Sequence, residues 1–169
     1  MEIAFGRHKN IDQAFKAKVI GIASNLKCDP SHLMAAMAFE TGERFKANTR
    51  NSVSGATGLI QFMPSTAKAL GTTTDKLAQM TELDQLDYVE TYLKPYTGKM
   101  GTVSDVYMTI LYPAAVGKDA AHVLFAEGSK AYGQNRGLDV NRDGTVTKAE
   151  AAAKVYAKLI RGLRDDLRG

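Results

Sequence analysis

Apolar residues recur along most of this chain at intervals of three and four, and that helical period constrains the fold more than any other feature. Ile11, Phe15, Val19, Ile22 and Leu26 step by 4, 4, 3 and 4, which lines one face of a helix. Asp29-Pro30 has the form of an N-cap followed by proline at the first helical position. It opens a second helix through Leu33, Met34, Met37 and Phe39, with Gly42 as its stop. Residues 46–58 carry Asn48, Asn51, Ser52, Ser54, Gly55 and Gly58, the composition of a loop. Pro64 starts a short helix that Gly71 ends. Thr81 caps the next, with Leu83, Leu86, Val89 and Leu93 as its stripe and Pro95 at its exit. Ser104 is expected to cap a helix carrying Val106, Met108, Ile110 and Leu111, and a last helix runs from Thr147 to Leu163. Strand-type alternation is scarce, and Val53 to Ile60 is too rich in glycine to count. The expectation is an all-α (mainly α) chain of 169 residues, long enough to bury one real core. A compositional joint near Gly117-Lys118 divides it. Residues 1–117 form the main body, and 118–169 form a C-terminal helical segment packed as part of the same domain.

Composition removes several function classes. The chain has 22 basic and 18 acidic residues, a net charge of +4, with the signs interleaved. Without a dense Lys/Arg block, no nucleic-acid partner is expected. An anionic polymer such as a cell wall suits the balance. The uncharged stretch Val106 to Gly117 is 12 residues, short of the roughly 20 that a membrane helix needs, so no membrane insertion is expected. Cys28 is the single cysteine, which excludes an internal disulfide framework. It has no catalytic context and reads as a small packed group. His8, His32 and His122 share no metal-ligand spacing. The start, Met1-Glu2-Ile3-Ala4-Phe5, lacks the basic-then-apolar form of a signal peptide. The tail from Arg161 to Arg168 includes Asp165-Asp166 and reads as a solvated helix face.

The most specific local pattern is Asp139-Val140-Asn141-Arg142-Asp143-Gly144-Thr145-Val146-Thr147-Lys148-Ala149-Glu150. It matches the twelve-residue EF-hand calcium loop at every diagnostic position. Asp139, Asn141 and Asp143 supply side-chain oxygens at positions 1, 3 and 5. Gly144 allows the sharp turn, Thr145 offers its carbonyl, and Val146 anchors the loop in the core. Thr147 ligates directly or through water, and Glu150 binds from the first turn of the following helix. Calcium takes six to eight hard oxygens, and this spacing wraps them around one point. The plainer reading is an Asp/Asn/Gly turn capping a helix. Calcium sensors pair their EF-hands, and this chain has one loop. A structural Ca2+ clip is therefore expected, with no cofactor for catalysis.

A second stretch carries chemistry. Glu40 ends an apolar helix, with Met37, Phe39 and Phe45 near it in sequence. A carboxyl in such surroundings has its pKa raised, as a general acid at neutral pH requires. The alternative is a solvated helix-end residue. Downstream lies Gly55-Ala56-Thr57-Gly58-Leu59-Ile60-Gln61-Phe62-Met63-Pro64-Ser65-Thr66-Ala67. This resembles the G-A-x-G-L-M-Q-x-M-P-x-T-A signature of the lytic transglycosylases, in the superfamily that includes goose-type lysozyme. Ser52 matches the serine that often opens the signature. Glu40-Thr41-Gly42 resembles the family's Glu-Ser motif, with Thr for Ser. Ile110-Leu111-Tyr112-Pro113-Ala114-Ala115-Val116-Gly117 resembles the A-Y-N-A-G motif more loosely. The motifs stand in the family's order over residues 38–117. A compact catalytic body with a C-terminal calcium loop is similar to bacteriophage virion-associated peptidoglycan-degrading enzymes.

The resemblance implies a lysozyme-like helical domain with Glu40 as catalytic acid/base. It implies that Ser52, Gln61 and Phe62 serve sugar binding or orient the carboxyl, and that Tyr112 hydrogen-bonds near Glu40. Two departures stand out. Glu43-Arg44 intervene before the aromatic Phe45, and Pro113 replaces the usual Asn. The reaction implied is lysis of the MurNAc–GlcNAc β-1,4 bond with formation of 1,6-anhydro-MurNAc. Most glycosidases need two carboxyl groups, and only Glu40 sits in a recognisable motif. Glu43 is the nearest second acid; in the cleft with a water it would make the enzyme a hydrolysing lysozyme, and otherwise it is a solvated loop charge. A non-catalytic wall-binding virion module is the reading from another class. Tyr132, Gln134 and Asn135, just before the acidic loop, suit sugar contact or equally a helix end and turn. The expected partners are peptidoglycan glycan strands and other virion proteins. The expected form is a monomer, carried in a phage virion or released through a lysis pore to the bacterial wall.

Overall fold

The computed structural model describes residues 1–169. The helices are α1 (Gln13–Leu26), α2 (Pro30–Thr41), α3 (Pro64–Ala69), α4 (Thr74–Gln79), α5 (Glu82–Leu93), α6 (Val103–Leu111), α7 (Lys130–Asn135) and α8 (Lys148–Gly162). Two strands, β1 (Val123–Ala126) and β2 (Thr145–Thr147), pair antiparallel. The protein is thus mainly α with one small sheet. No helix is long and apolar enough to cross a membrane.

Local chemistry sets the helix ends. Asp12 caps α1 by accepting from the Phe15 N–H, and Asp29 caps α2 by accepting from Ser31, with Pro30 behind it. Gly42 closes α2 in the left-handed conformation, and Thr81 caps α5. Thr147 and Glu150 form a reciprocal capping box at the start of α8. One expected cap is corrected. The residue that caps α6 is Thr102, not Ser104: the Thr102 hydroxyl accepts from the Asp105 N–H at 3.0 Å and donates to the Asp105 carboxylate.

The central helix is α2. Leu33 and every residue from Met34 to Ala38 are buried, and α1, α6 and α8 pack around it. A helix apolar on all sides can only be an interior helix. One continuous core runs from Ile3 and Phe5 through α1, α2, α5 and α6 to Val146, Ala152, Val155 and Leu159. Residues on both sides of Gly117-Lys118 therefore share it. A buried ion pair also crosses that joint: Lys148 Nζ donates to Asp105 Oδ1 at 2.5 Å and to the Lys118 carbonyl at 2.7 Å. The two side chains are 4% and 10% exposed. Burial pushes the Asp105 carboxyl up, but hydrogen bonds from Lys148, Gly117 and Thr102 outweigh it and hold it below the usual range.

The strand β1 was not legible as a strand. Its partner is β2, inside the acidic loop, with Phe125 opposite Val146 and Ala126 opposite Thr145. A four-residue segment takes up extended structure here because a ladder partner about 20 residues away satisfies its backbone.

The segment expected to be a loop, residues 46–58, is more ordered than its composition implies. Thr57 exchanges both backbone hydrogen bonds with Phe62, Gly58 N–H donates to the Thr49 carbonyl (2.7 Å), and Asn51 N–H donates to the Ala56 carbonyl. Gln85 of α5 pins this unit from below. It is 0% exposed. Its Oε1 accepts from the Leu59 N–H at 2.7 Å, and its Nε2 donates to the Ala47 and Leu77 carbonyls. A Cβ on Gly58 would stand 2.2 Å from Gln85 Oε1, and Gly58 has φ of +92°. Glycine is needed there for two reasons, the close approach and the left-handed backbone. Gly58→Ala is expected to cost about 3 kcal/mol or more, from strain plus loss of buried hydrogen bonds; chemical denaturation measures it, and an unchanged midpoint would show that Gln85 is not the clamp.

Candidate functional site

Glu40 occupies the last turn of α2, behind the run of buried residues. Its side chain is half-buried, and burial pushes its pKa from near 4.5 to about 7. The carbonyl end of α2 acts in the same direction, because it disfavours negative charge. The carboxyl is therefore poised between its neutral and ionised forms at neutral pH, as a group that gives and retakes a proton must be.

α6 and α8 pack on the helix that carries it. Tyr107 of α6 is buried and packs edge-on against Phe39 at 5.5 Å. Burial, and then the charge of Glu40, push the Tyr107 phenol well above its usual range. The tyrosine within electrostatic reach of Glu40 is thus Tyr107. Tyr112, which the resemblance implied for this role, caps the end of α6 and stacks edge-on against Phe125 of β1 at 5.6 Å. The glycine-rich unit reaches α2 through Ile60, which shares a small interior void with Ala36 and Met37 of α2 and Val106 and Ile110 of α6. α8 meets the turn after Glu40 through Glu43.

The turn after Glu40 is unusual. Gly42, Glu43 and Phe45 all have positive φ, at +57°, +63° and +51°. Thr41, which stands for the serine of the resembled motif, explains part of it. Its hydroxyl donates to the Met37 carbonyl at 2.7 Å and accepts from the Phe45 N–H at 2.9 Å. Phe45 is fully buried against Phe5 and His8. Glu43 accepts from Lys158 Nζ (2.6 Å) and from Arg161 Nε and Nη2 (2.7 and 3.0 Å). These cations hold its carboxyl at about 2. Glu43 is therefore not a solvated loop charge, because its side chain is only 15% exposed and ion-paired. Its two oxygens are engaged by Lys158 and Arg161, and a carboxyl held at about 2 does not act as a general acid.

The expected sugar-contact residues separate into groups. Ser52 is exposed in the turn that opens the glycine-rich unit. Gln61 has φ of +55°, and its Nε2 donates to the Thr49 and Gly58 carbonyls, so it braces the unit from inside. Phe62 is 2% exposed and packs edge-on against Tyr92, which corrects its assignment to a sugar-facing surface. Tyr132 is also buried, and its hydroxyl donates to Asp139 Oδ2 at 2.7 Å, so the acidic loop takes the group expected for sugar. Gln134 is exposed on α7, and Asn135 turns back to the Ala131 carbonyl. α7 packs on β1 and β2.

The acidic loop is built from its own side chains. Asp139 and Asn141 both accept from the Asp143 N–H, Asp143 accepts from Thr145, and Asp139 Oδ2 also accepts from the Gly144 N–H. Glu150 reaches across the loop, with Oε1 on Thr147 and Oε2 on the Val140 N–H at 3.1 Å. Arg142 and Gly144 are left-handed, at +59° and +85°, and Val146 is fully buried. The donors are all hard oxygens, as calcium requires. In this arrangement the carboxylates are turned to loop N–H groups, and no three acidic, His or Cys side chains stand together as a ready cluster. A broad concave surface of about 760 Å³ lies alongside, between Glu127, Tyr132, Arg136 and Asp143. Glu40 lines neither this concavity nor the interior void.

Sequence reasoning passed over Tyr107, Gln85 and Lys158, and its reading of Arg161 to Arg168 as a solvated helix face is corrected: α8 ends at Gly162, Arg161 pairs with Glu43, and Arg168 pairs with Glu2. For Tyr107 a signal existed, since Val103, Val106, Tyr107 and Ile110 follow the three-four spacing of a buried face. The others act only through partners distant in sequence. No protein-family model matches this chain, and no curated protein matches it.

Proposed function

We propose that this protein is a peptidoglycan lytic transglycosylase on a lysozyme-like helical fold, with Glu40 as its single acid/base. The observation that carries the reading is the half-buried Glu40 carboxyl with its pKa near 7, at the position where the motif order puts a catalytic glutamate. The engagement of Glu43 by two cations supports a mechanism with one carboxyl. Protonated Glu40 donates to the oxygen that links MurNAc C1 to GlcNAc C4. The C1–O bond breaks, and the GlcNAc leaves with that proton as its 4-hydroxyl. The substrate's 2-acetamido group stabilises the positive charge at C1. Ionised Glu40 then takes the proton of the MurNAc 6-hydroxyl as O6 bonds to C1, which closes the 1,6-anhydro ring and restores the acid.

Mass spectrometry of digested cell wall tests this. Anhydro-MurNAc ends are the expected product. Reducing ends would make the protein a hydrolysing lysozyme, and no released fragments would make it a wall-binding module.

The acidic loop serves this reading as a structural calcium clip. Asp139, Asn141, Asp143, Thr145, Thr147 and Glu150 would hold the ion, which supplies charge neutralisation and no step of the reaction. Saturating calcium at 100 times its Kd would stabilise the fold by about 2.7 kcal/mol, or roughly 5–10 °C in Tm for a chain of this size. Melting curves in chelator and in millimolar calcium measure it, and coincident curves would remove the ion from the proposal.

A further inference from the structure

We propose that Glu43, clamped by Lys158 and Arg161, is a positioning residue that fixes the Glu40 carboxyl for proton transfer, an inference that rests on the reading of Glu40 given above. The argument starts from chain geometry. Glu40 stands one residue before the end of α2, and the next five residues include three with positive φ. Left-handed backbone at Glu43 and Phe45 costs energy for residues with a side chain, and it persists only where surroundings impose it. Two constraints do so here. Phe45 is sealed in the core, and Glu43 is drawn toward α8 by three hydrogen bonds of 2.6, 2.7 and 3.0 Å. The Glu43 N–H also closes back on the Ala38 carbonyl at 2.7 Å, so the turn wraps the residues on both sides of Glu40.

Lys158 and Arg161 are three apart on α8 and face the same carboxylate, as helical spacing allows. α8 itself packs on α2 and α6, the helices that carry Glu40 and Tyr107. His8, tilted against the Phe45 ring at 5.1 Å, is the other titratable group in electrostatic range of Glu43. Release of the clamp would free the last turn of α2, where a displacement of about 1 Å at the acid can cost ~100-fold in rate.

The test uses soluble glycan strands, with kcat and KM read separately at a temperature where circular dichroism shows each variant fully folded. Glu43→Ala is expected to lower kcat by ~10–100-fold with KM within about twofold. Arg161→Ala, which leaves Lys158 in place, should lower kcat by a smaller factor, and Arg161→Lys should restore it. If Glu43→Ala does not fold, the Arg161 pair carries the same test. Folded variants with wild-type kcat, or with a loss confined to KM, would overturn the proposal. If Glu40→Gln is inactive while Glu43→Ala is fully active, only the positioning role falls. If Glu40→Gln keeps full activity, both this inference and the enzymatic reading fall.

Discussion

Glu40→Gln is expected to remove most of the proposed lytic activity and, at pH 8, to make the fold more resistant to heat. Both effects follow from one property of the site. The folded Glu40 has a pKa of about 7 against an ordinary value of 4.5. The folded state therefore binds the proton more tightly than the unfolded state between those values, and stability falls as pH rises through that window. Above pH 7 the full penalty is in place, about 3 kcal/mol for a shift of this size. Glutamine carries no charge to desolvate, so the variant escapes the penalty at pH 8 and gains little at pH 4.5. Paired melting curves at the two pH values measure this, with an expected gain of roughly 5 °C or more at pH 8 for a chain of this length. Equal shifts at both pH values would mean that Glu40 is ordinarily solvated. The activity effect has the same origin. On the proposed mechanism the group must be protonated to begin the reaction, so wild-type kcat/KM should fall about tenfold per pH unit above 7. The loss in Glu40→Gln should reach at least ~100-fold, the usual worth of a general acid. Gain of stability with loss of function is the signature of a residue kept for chemistry.

Lys148→Met should be the most destabilising single change away from the site. It leaves Asp105 buried and negative, still accepting from Gly117 and Thr102 but without a countercharge. Loss of one member of a buried pair costs about 3–5 kcal/mol. It also strands the Lys118 carbonyl. Replacement of both charges, Lys148→Met with Asp105→Asn, should cost less than the sum of the single changes, because the second removes the orphaned charge created by the first. Urea denaturation of the three variants reads the coupling. Strict additivity would show that the pair does not act as a unit. Added salt should change the wild-type stability little through this pair, because screening barely reaches it.

Much of the secondary structure was legible in the chain because its causes are local. Asp29-Pro30, Gly42, Thr81 and Thr147 each set a helix end with their own side chain or backbone. Thr102 was missed in favour of Ser104, since both residue types cap helices and the choice depends on where Asp105 turns. The strand β1 was missed because its hydrogen-bond partners lie in another segment. At the candidate site the sequence pointed to Glu40 and its apolar neighbours, yet it named Tyr112, passed over Tyr107 and left Glu43 between two roles. Its cation partners are 115 and 118 residues away, and no local pattern encodes such a meeting.

The amino-acid order alone determined a helical chain, an acidic loop of hard oxygens and a glutamate at the end of an apolar helix, because propensity, capping and ligand spacing act over a few residues. Only the tertiary structure decided that Glu40 is desolvated, that Glu43 is bound by Lys158 and Arg161, and that Phe62 and Tyr132 face inward. Burial and ion pairing depend on which distant surfaces meet, and proton affinity follows from both.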